Sequence, residues 1–254
     1  MNIEQHIQTR LKTKPICLMT HVIAGYPSFD ANLKALEIMA ENDVDLVEIQ
    51  MPFSEPTADG PVFAKANQES LDRGTNLEQY FDLMRQATQK YDFPILMMGY
   101  YNTVFKMGEK SFLDRLQAAG GSGFIVPDLP VEEADSLYSE AKKRGLSPIS
   151  FMTPTTPDDR LHVLGHAGSG FIYVVARAGV TGKHTLFSQD FEDYLKKCHA
   201  ATNLPLAVGF GISEKSDLDF LTGKAEVAII GTALLKAWKS GGEQALRAFF
   251  AALK

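Results

Sequence analysis

The stretch Leu46-Val47-Glu48-Ile49-Gln50-Met51-Pro52-Phe53-Ser54-Glu55-Pro56-Thr57-Ala58-Asp59-Gly60-Pro61 carries the reading of both fold and chemistry. A short apolar run holds one carboxylate, Glu48, in its middle. A loop dense in Pro, Gly and small polar residues follows, and it holds a second, Asp59. In an extended run successive side chains point to opposite faces, which separates Leu46, Glu48 and Gln50 from Val47, Ile49 and Met51. The second set is wholly apolar and suits packing under helices. The first set then faces inward, so this strand is covered on both sides, as strands of parallel sheets are.

The same pattern recurs along the chain. Strands are predicted at 17–24, 45–51, 94–100, 123–127, 148–153, 170–176, 205–209 and 227–231. Amphipathic stretches at 31–42, 77–90, 111–119, 131–144, 157–166, 190–200, 215–221 and 242–253 alternate with them. Ser28 before Phe29 and Ser213 before Glu214 are candidate helix caps. Eight strand–helix units in 254 residues, with no Ser/Pro/Gly linker dividing them, predict an α/β chain: a single (β/α)8 TIM barrel domain over 1–254 with its site at the C-terminal ends of the strands. A doubly wound open sheet is the rival, but Ala24-Gly25-Tyr26-Pro27 lacks the GxGxxG dinucleotide turn.

Composition narrows the function. The formal net charge is -6, which argues against nucleic acid as the main partner, because a phosphate backbone demands clustered Lys and Arg. An anionic small substrate remains compatible, since local donors bind phosphate. The two cysteines, Cys17 and Cys198, form no metal or redox spacing, and Cys17 falls in a strand where it acts as a small hydrophobe. The N-terminus lacks a signal-peptide pattern, and no apolar run reaches the roughly 18 residues of a membrane span. A cytoplasmic location is the expectation.

Glu48 faces inward near the end of its strand. A buried carboxylate is costly unless paired or neutral, and partial loss of water makes it usable as proton donor and acceptor near neutral pH. The alternative is a structural glutamate satisfied by neighbouring hydroxyls. Asp59 leaves the same strand end on its loop. Two glycine turns, Gly209-Phe210-Gly211-Ile212-Ser213 after strand seven and Ile230-Gly231-Thr232-Ala233 after strand eight, suit a phosphate cradle of backbone N–H groups and a helix N-terminus. Arg177-Ala178-Gly179-Val180-Thr181-Gly182-Lys183 after strand six suggests a lid. Tyr173, on one face with Phe171 and Val175, could reach the cavity of Glu48 or stay a core tyrosine. His162 and His166 lack a third ligand, which favours a solvated helix face over a metal site. His184 near the lid receives no task.

Taken together these segments resemble the tryptophan synthase α subunit family. The likeness is carried by Pro-Phe-Ser-Glu-Pro-Thr-Ala-Asp-Gly-Pro at 52–61, Pro-Asp-Leu-Pro-Val-Glu-Glu at 127–133, Thr-Pro-Thr-Thr-Pro at 153–157, Arg-Ala-Gly-Val-Thr-Gly at 177–182 and Gly-Phe-Gly-Ile-Ser at 209–213. The resemblance implies retro-aldol cleavage of indole-3-glycerol phosphate to indole and glyceraldehyde 3-phosphate. It implies a pyridoxal-phosphate β subunit that receives the indole, an α2β2 tetramer, and no metal or organic cofactor in this chain. It makes Glu48 the general acid/base and Asp59 the carboxylate that binds the indole N–H. Tyr173, Tyr100 and Thr181 become substrate-contacting positions. Gly182, Gly211, Gly231 and Thr232 become phosphate-binding positions, with Ser213 a neighbour, and the loops around Asp59 and Thr181 those that order on binding and face the β subunit. Asp128 matches a position bordering the site and the subunit interface.

The sequence departs from the family pattern at Gln50, where Gly is usual, at Glu55, where Asp is usual, and at Ala64, where Gln is common. The Gln50 amide would occupy cavity volume and could hydrogen-bond the Glu48 carboxylate. Two other readings stay open: a non-catalytic subunit that activates a β partner, and a phosphate-binding barrel isomerase. Intact Glu48 and Asp59 favour the lyase.

Overall fold

Runs rich in Val, Ile and Met, too short for helices and apolar on both faces, can bury themselves only inside a sheet wrapped by helices. The computed structural model describes residues 2–176, 189–209 and 211–254. Its strands are β1 (Cys17–Ile23), β2 (Leu46–Gln50), β3 (Ile95–Met98), β4 (Gly123–Ile125), β5 (Ser147–Pro148), β6 (Ser150–Met152), β7 (Ile172–Val175), β8 (Leu206–Gly209) and β9 (Val227–Ile230). They pair in the order β5-β4-β3-β2-β1-β9-β8-β7-β6, each pair parallel. Only Ile149 separates β5 from β6, so the two ends of that order meet in one stretch of chain and the sheet closes into eight barrel positions. The expected eight strands and the (β/α)8 architecture are thus found.

The helices are α1 (Ile3–Arg10), α2 (Phe29–Glu41), α3 (Pro61–Asp72), α4 (Leu77–Lys90), α5 (Tyr101–Met107), α6 (Glu109–Ala118), α7 (Asp135–Lys143), α8 (Asp158–Ala167), α9 (Gln189–Ala201), α10 (Lys215–Leu221) and α11 (Thr232–Ala252). Three of them, α1, α3 and α5, were not expected. Pro61 reads as the end of a loop, but it is the first residue of α3, where its fixed φ suits a helix start and its missing N–H costs nothing. The last helix begins at Thr232 and passes a kink at Gly241 and Gly242. Ser28 caps α2, accepting from the Ala31 N–H at 3.1 Å. Ser213 does not cap α10. The cap is Glu214, and the Asp217 carboxylate accepts from the N–H groups of Ser213 (2.7 Å) and Glu214 (3.1 Å).

Two apolar shells follow the alternation. Val47, Ile49 and Met51 pack outward beneath the helices, whereas Cys17, Met19, Leu46, Phe171 and Ile229 fill the barrel with Ile3 and Ile7 of α1. Burial pushes the Cys17 thiol up to about 12, consistent with the small hydrophobe expected there. Among the described residues no helix is long and apolar enough to cross a membrane.

Helix α1 is tied to the barrel by Asp45, at the start of β2. The Asp45 side chain is fully buried, accepts from the Leu18 N–H at 2.7 Å and pairs with Lys14 at 2.8 Å and with Arg10. Asp45→Ala removes the acceptor from that N–H and from two partly covered cations, and is expected to cost about 2–3 kcal/mol. Urea unfolding checks this. An unshifted midpoint would mean that Ile3 and Ile7 hold α1 unaided. Chemistry at the C-terminal ends of the strands should be spared, because Asp45 lies at the opposite end of β2.

Candidate active site

Strand pairing sets the first elements of the site. In the parallel ladder of β1 and β2, His21 stands beside Glu48 and Ile23 beside Gln50. The alternation turns Glu48 inward, where it is 1% exposed, with Gln50 wholly buried above it. His21 Nδ1 lies 3.1 Å from Glu48 Oε1, and its ring tilts against Phe63 of α3 with centroids 4.4 Å apart. The imidazole is thus the cation-forming group beside Glu48, a charge contact in which Glu48 Oε1 stays buried without a hydrogen-bond partner. Burial works against a charged His21, but the Glu48 carboxylate beside it and the charge of Asp59 outweigh burial and raise its pKa.

Asp59 hangs from the loop between β2 and α3. Its Oδ2 accepts from Gln50 Nε2 at 2.7 Å and from Asn67 Nδ2 at 3.4 Å. The hydrogen bond of Gln50 thus goes to Asp59, not to Glu48 as expected, because Gln50 lies nearer the strand end from which this loop returns. Burial raises the Asp59 pKa, although His21 and the Gln50 and Tyr100 contacts act in the other direction. Tyr100 stands one layer back. Its hydroxyl accepts from the Ala58 N–H at 3.1 Å and its ring stacks on Phe53, so it braces the Asp59 loop instead of lining the cavity. Asp128 accepts from the Tyr101 N–H at 2.8 Å at the start of α5. Glu55 and Thr57 of the loop are exposed.

Glu48, Asp59 and His21 open into one cavity of about 990 Å³, its solvent mouth included. Phe63, Met98, Ile125, Phe151 and Ile229 give it apolar walls, and Tyr173 stacks on Phe151 at 5.0 Å. Gly209 makes room for Tyr173, since a Cβ there would sit 2.6 Å from its ring. At the far end lie Gly211, Ser213, Gly231, Thr232 and the exposed Lys236. Gly211 has φ +100, open to glycine alone in practice. Gly231 and Thr232 begin the 21-residue α11, whose first N–H groups lack helical acceptors and whose dipole favours an anion. This end suits a small anion, and the walls suit a flat apolar group.

The structure therefore brings together Glu48, Asp59, Tyr173, Gly211, Ser213, Gly231 and Thr232. Thr181, Gly182, His184 and the expected lid lie outside the described residues. His162 and His166 are exposed on α8, where His166 Nδ1 meets the His162 carbonyl, and no group of three metal-ligating side chains occurs among the described residues. Sequence reasoning missed His21, Asn67 and Lys236. His21 could have been found by the argument used for Glu48, because Cys17, Met19 and His21 share the inward face of β1.

A closed parallel barrel with two carboxylates and an anion cradle at the C-terminal ends of its strands defines a (β/α)8 enzyme acting on a small phosphorylated substrate. The family model described as tryptophan synthase alpha chain matches residues 7–251. The tryptophan synthase alpha chain of Desulfotalea psychrophila is 47% identical over 254 residues, covering 100% of both chains. A chain of Mycobacterium tuberculosis tryptophan synthase superposes with a TM-score of 0.91 at 27% identity, covering 99% of this chain and 96% of that one. A chain of the α2β2 tryptophan synthase complex of Pyrococcus furiosus does so with 0.86 at 29% identity, covering 93% and 97%. The chain belongs to the tryptophan synthase alpha chain family. The α chain of this family is a carbon–carbon lyase that cleaves indole-3-glycerol phosphate and passes indole to a β subunit. It carries no cofactor of its own, the pyridoxal phosphate belonging to that partner.

Proposed function

We propose that this chain, working as one barrel domain, cleaves indole-3-glycerol phosphate with Glu48 as general acid and base. The observation that carries this reading is that Glu48 and Asp59 face one cavity whose other end is the Gly211, Gly231 and Thr232 cradle. Phosphate held there, with Ser213 and Lys236 beside it, leaves the indole among the apolar walls and against Tyr173. Glu48 gives a proton to indole C3. The ring becomes cationic, and Asp59 stabilises it through a hydrogen bond from the indole N–H. Glu48 then takes the proton of the adjacent hydroxyl as the C–C bond breaks, its electron pair returning to the ring and an aldehyde forming. One carboxyl group thus gives and regains a proton, and the products are indole and glyceraldehyde 3-phosphate.

Thr181 and Gly182 are assigned to the closing loop and to the phosphate. The exposed loop bearing Glu55 is assigned to communication with the β subunit in an α2β2 assembly. A cytoplasmic location agrees with two buried cysteines that carry free thiols. The test is indole release from indole-3-glycerol phosphate by the purified chain, with and without a β subunit. No release in either condition would remove the lyase and leave the regulatory or isomerase readings.

Gln50 tunes the site in this reading. Its amide holds the Asp59 oxygen at 2.7 Å and favours the charged carboxylate. Gln50→Gly is expected to move the acid limb of kcat/KM to higher pH and to change kcat several-fold. Identical pH–rate profiles, alone and with the partner, would deprive Gln50 of any role.

A further inference from the structure

His21 is an unusual occupant of the inner wall. It is 7% exposed, and its Nε2 is buried without a hydrogen-bond partner. An apolar ring against Phe63 would fill the space without that unmet polar group, which costs free energy when buried. What the imidazole adds is Nδ1, 3.1 Å from Glu48 Oε1, an oxygen that is itself buried without a hydrogen-bond partner, so that a modest turn of either side chain makes the bond. Strand register fixes this juxtaposition, because the two residues are direct neighbours across β1 and β2. Around His21 the charged and titratable groups are Glu48 of β2, Asp59 of the following loop, Tyr173 of β7 and Lys236 of α11 across the main cavity. Tyr26 shares a smaller cavity on its other side. The two nearest in effect are carboxylates, and both favour a protonated ring.

We propose that His21 is a positioning residue of the cleavage: it stores on Nδ1 the proton that Glu48 delivers to indole C3 and recovers from the substrate hydroxyl. This rests on the assignment of Glu48 as acid and base. The resting pair holds one mobile proton, with imidazolium beside carboxylate. The proton passes from Nδ1 to the carboxylate and then to C3. The carboxylate next accepts the hydroxyl proton as the C–C bond breaks, and the proton returns to Nδ1. Nε2 keeps its own proton throughout, so nothing is gained or lost over the cycle. Because the ring's pKa is raised, the one-proton form persists to higher pH than the ordinary imidazole range, and it is lost as pH rises through the raised value.

The experiment is the pH profile of kcat/KM for the parent and for His21→Gln. The glutamine variant is expected to lose about tenfold in kcat, a small share of a general acid–base effect, with KM little changed. Its alkaline limb should move to lower pH, so that the loss grows as pH rises. An alkaline limb that stays in place overturns the proposal, whatever the rate, and leaves His21 a packing residue. The second measurement does not depend on that variant. The His21 ring is titrated by NMR, assigned through its contact with Phe63, in the parent and in Glu48→Gln. A fall in its midpoint in Glu48→Gln supports the pair, and an unmoved midpoint overturns it. If Glu48→Gln still releases indole at the parental rate, the assignment of Glu48 itself fails. If it is inactive while the His21→Gln profile is unshifted, only the pair fails.

Discussion

Glu48→Gln lowers indole release by about 10²–10⁴-fold, the usual contribution of a positioned general acid–base, and leaves KM close to that of the parent. The amide has the volume of the acid and stays on the inner face of β2, so the 1% exposed position remains filled. It can neither give a proton to indole C3 nor take one from the hydroxyl, so both halves of the cycle fail through one substitution. The groups that hold the substrate are untouched. Gly211, Gly231 and Thr232 still line one end of the cavity and Asp59 its other end, so the proposed phosphate and indole contacts remain. A loss confined to kcat is the signature of an interaction made in the transition state. Steady-state indole release, with substrate binding measured separately, checks it. Release within tenfold of the parent would move the chemistry to another group. Activation of the β subunit by the variant should persist, because the exposed loop around Glu55 is unaltered.

Most of the barrel is legible in the sequence because its strands obey a period of two and its helices a period of 3.6, and because closure needs no information beyond eight such units. Glu48 is visible for the same reason: an acid in an apolar alternation stands out. Elements whose signal is chemical rather than periodic are harder. Helix α3 begins at a proline that equally ends a loop. Helix α1 is eight residues long and exists by burying Ile3 and Ile7 in the barrel and by pairing with Asp45. Both are long-range contacts that no local pattern contains. The Gln50–Asp59 hydrogen bond depends on how the loop after β2 folds back, which spacing does not encode. His21 beside Glu48 depends on the register of two strands, which becomes known only once the sheet is closed.

Asp59→Asn separates function from stability. An amide oxygen still accepts a hydrogen bond from the indole N–H, but it no longer opposes the charge that C3 protonation places on the ring. Removing one preorganised electrostatic group of this type costs about 2.7–4 kcal/mol, or about 10²–10³ in kcat. Stability should change the other way. Burial raises the Asp59 pKa above its ordinary value of 3.8, so the folded state holds the charged carboxylate less well than the unfolded chain does. A raised carboxylate contributes stability below its unfolded pKa and loses it as pH rises through the folded one. At neutral pH the parent therefore bears the cost of a partly desolvated charge, which the asparagine variant does not. The variant's Tm is expected to exceed the parent's at pH 7, with the advantage shrinking as the pH falls through the raised pKa and vanishing once Asp59 is protonated in both states. Thermal unfolding over that range, beside indole release, checks both halves. A variant less stable than the parent at pH 7 would mean that the bonds from Gln50 and Asn67 outweigh the desolvation of Asp59. A desolvated loop carboxylate would then no longer be the stability that this site gives up for its chemistry.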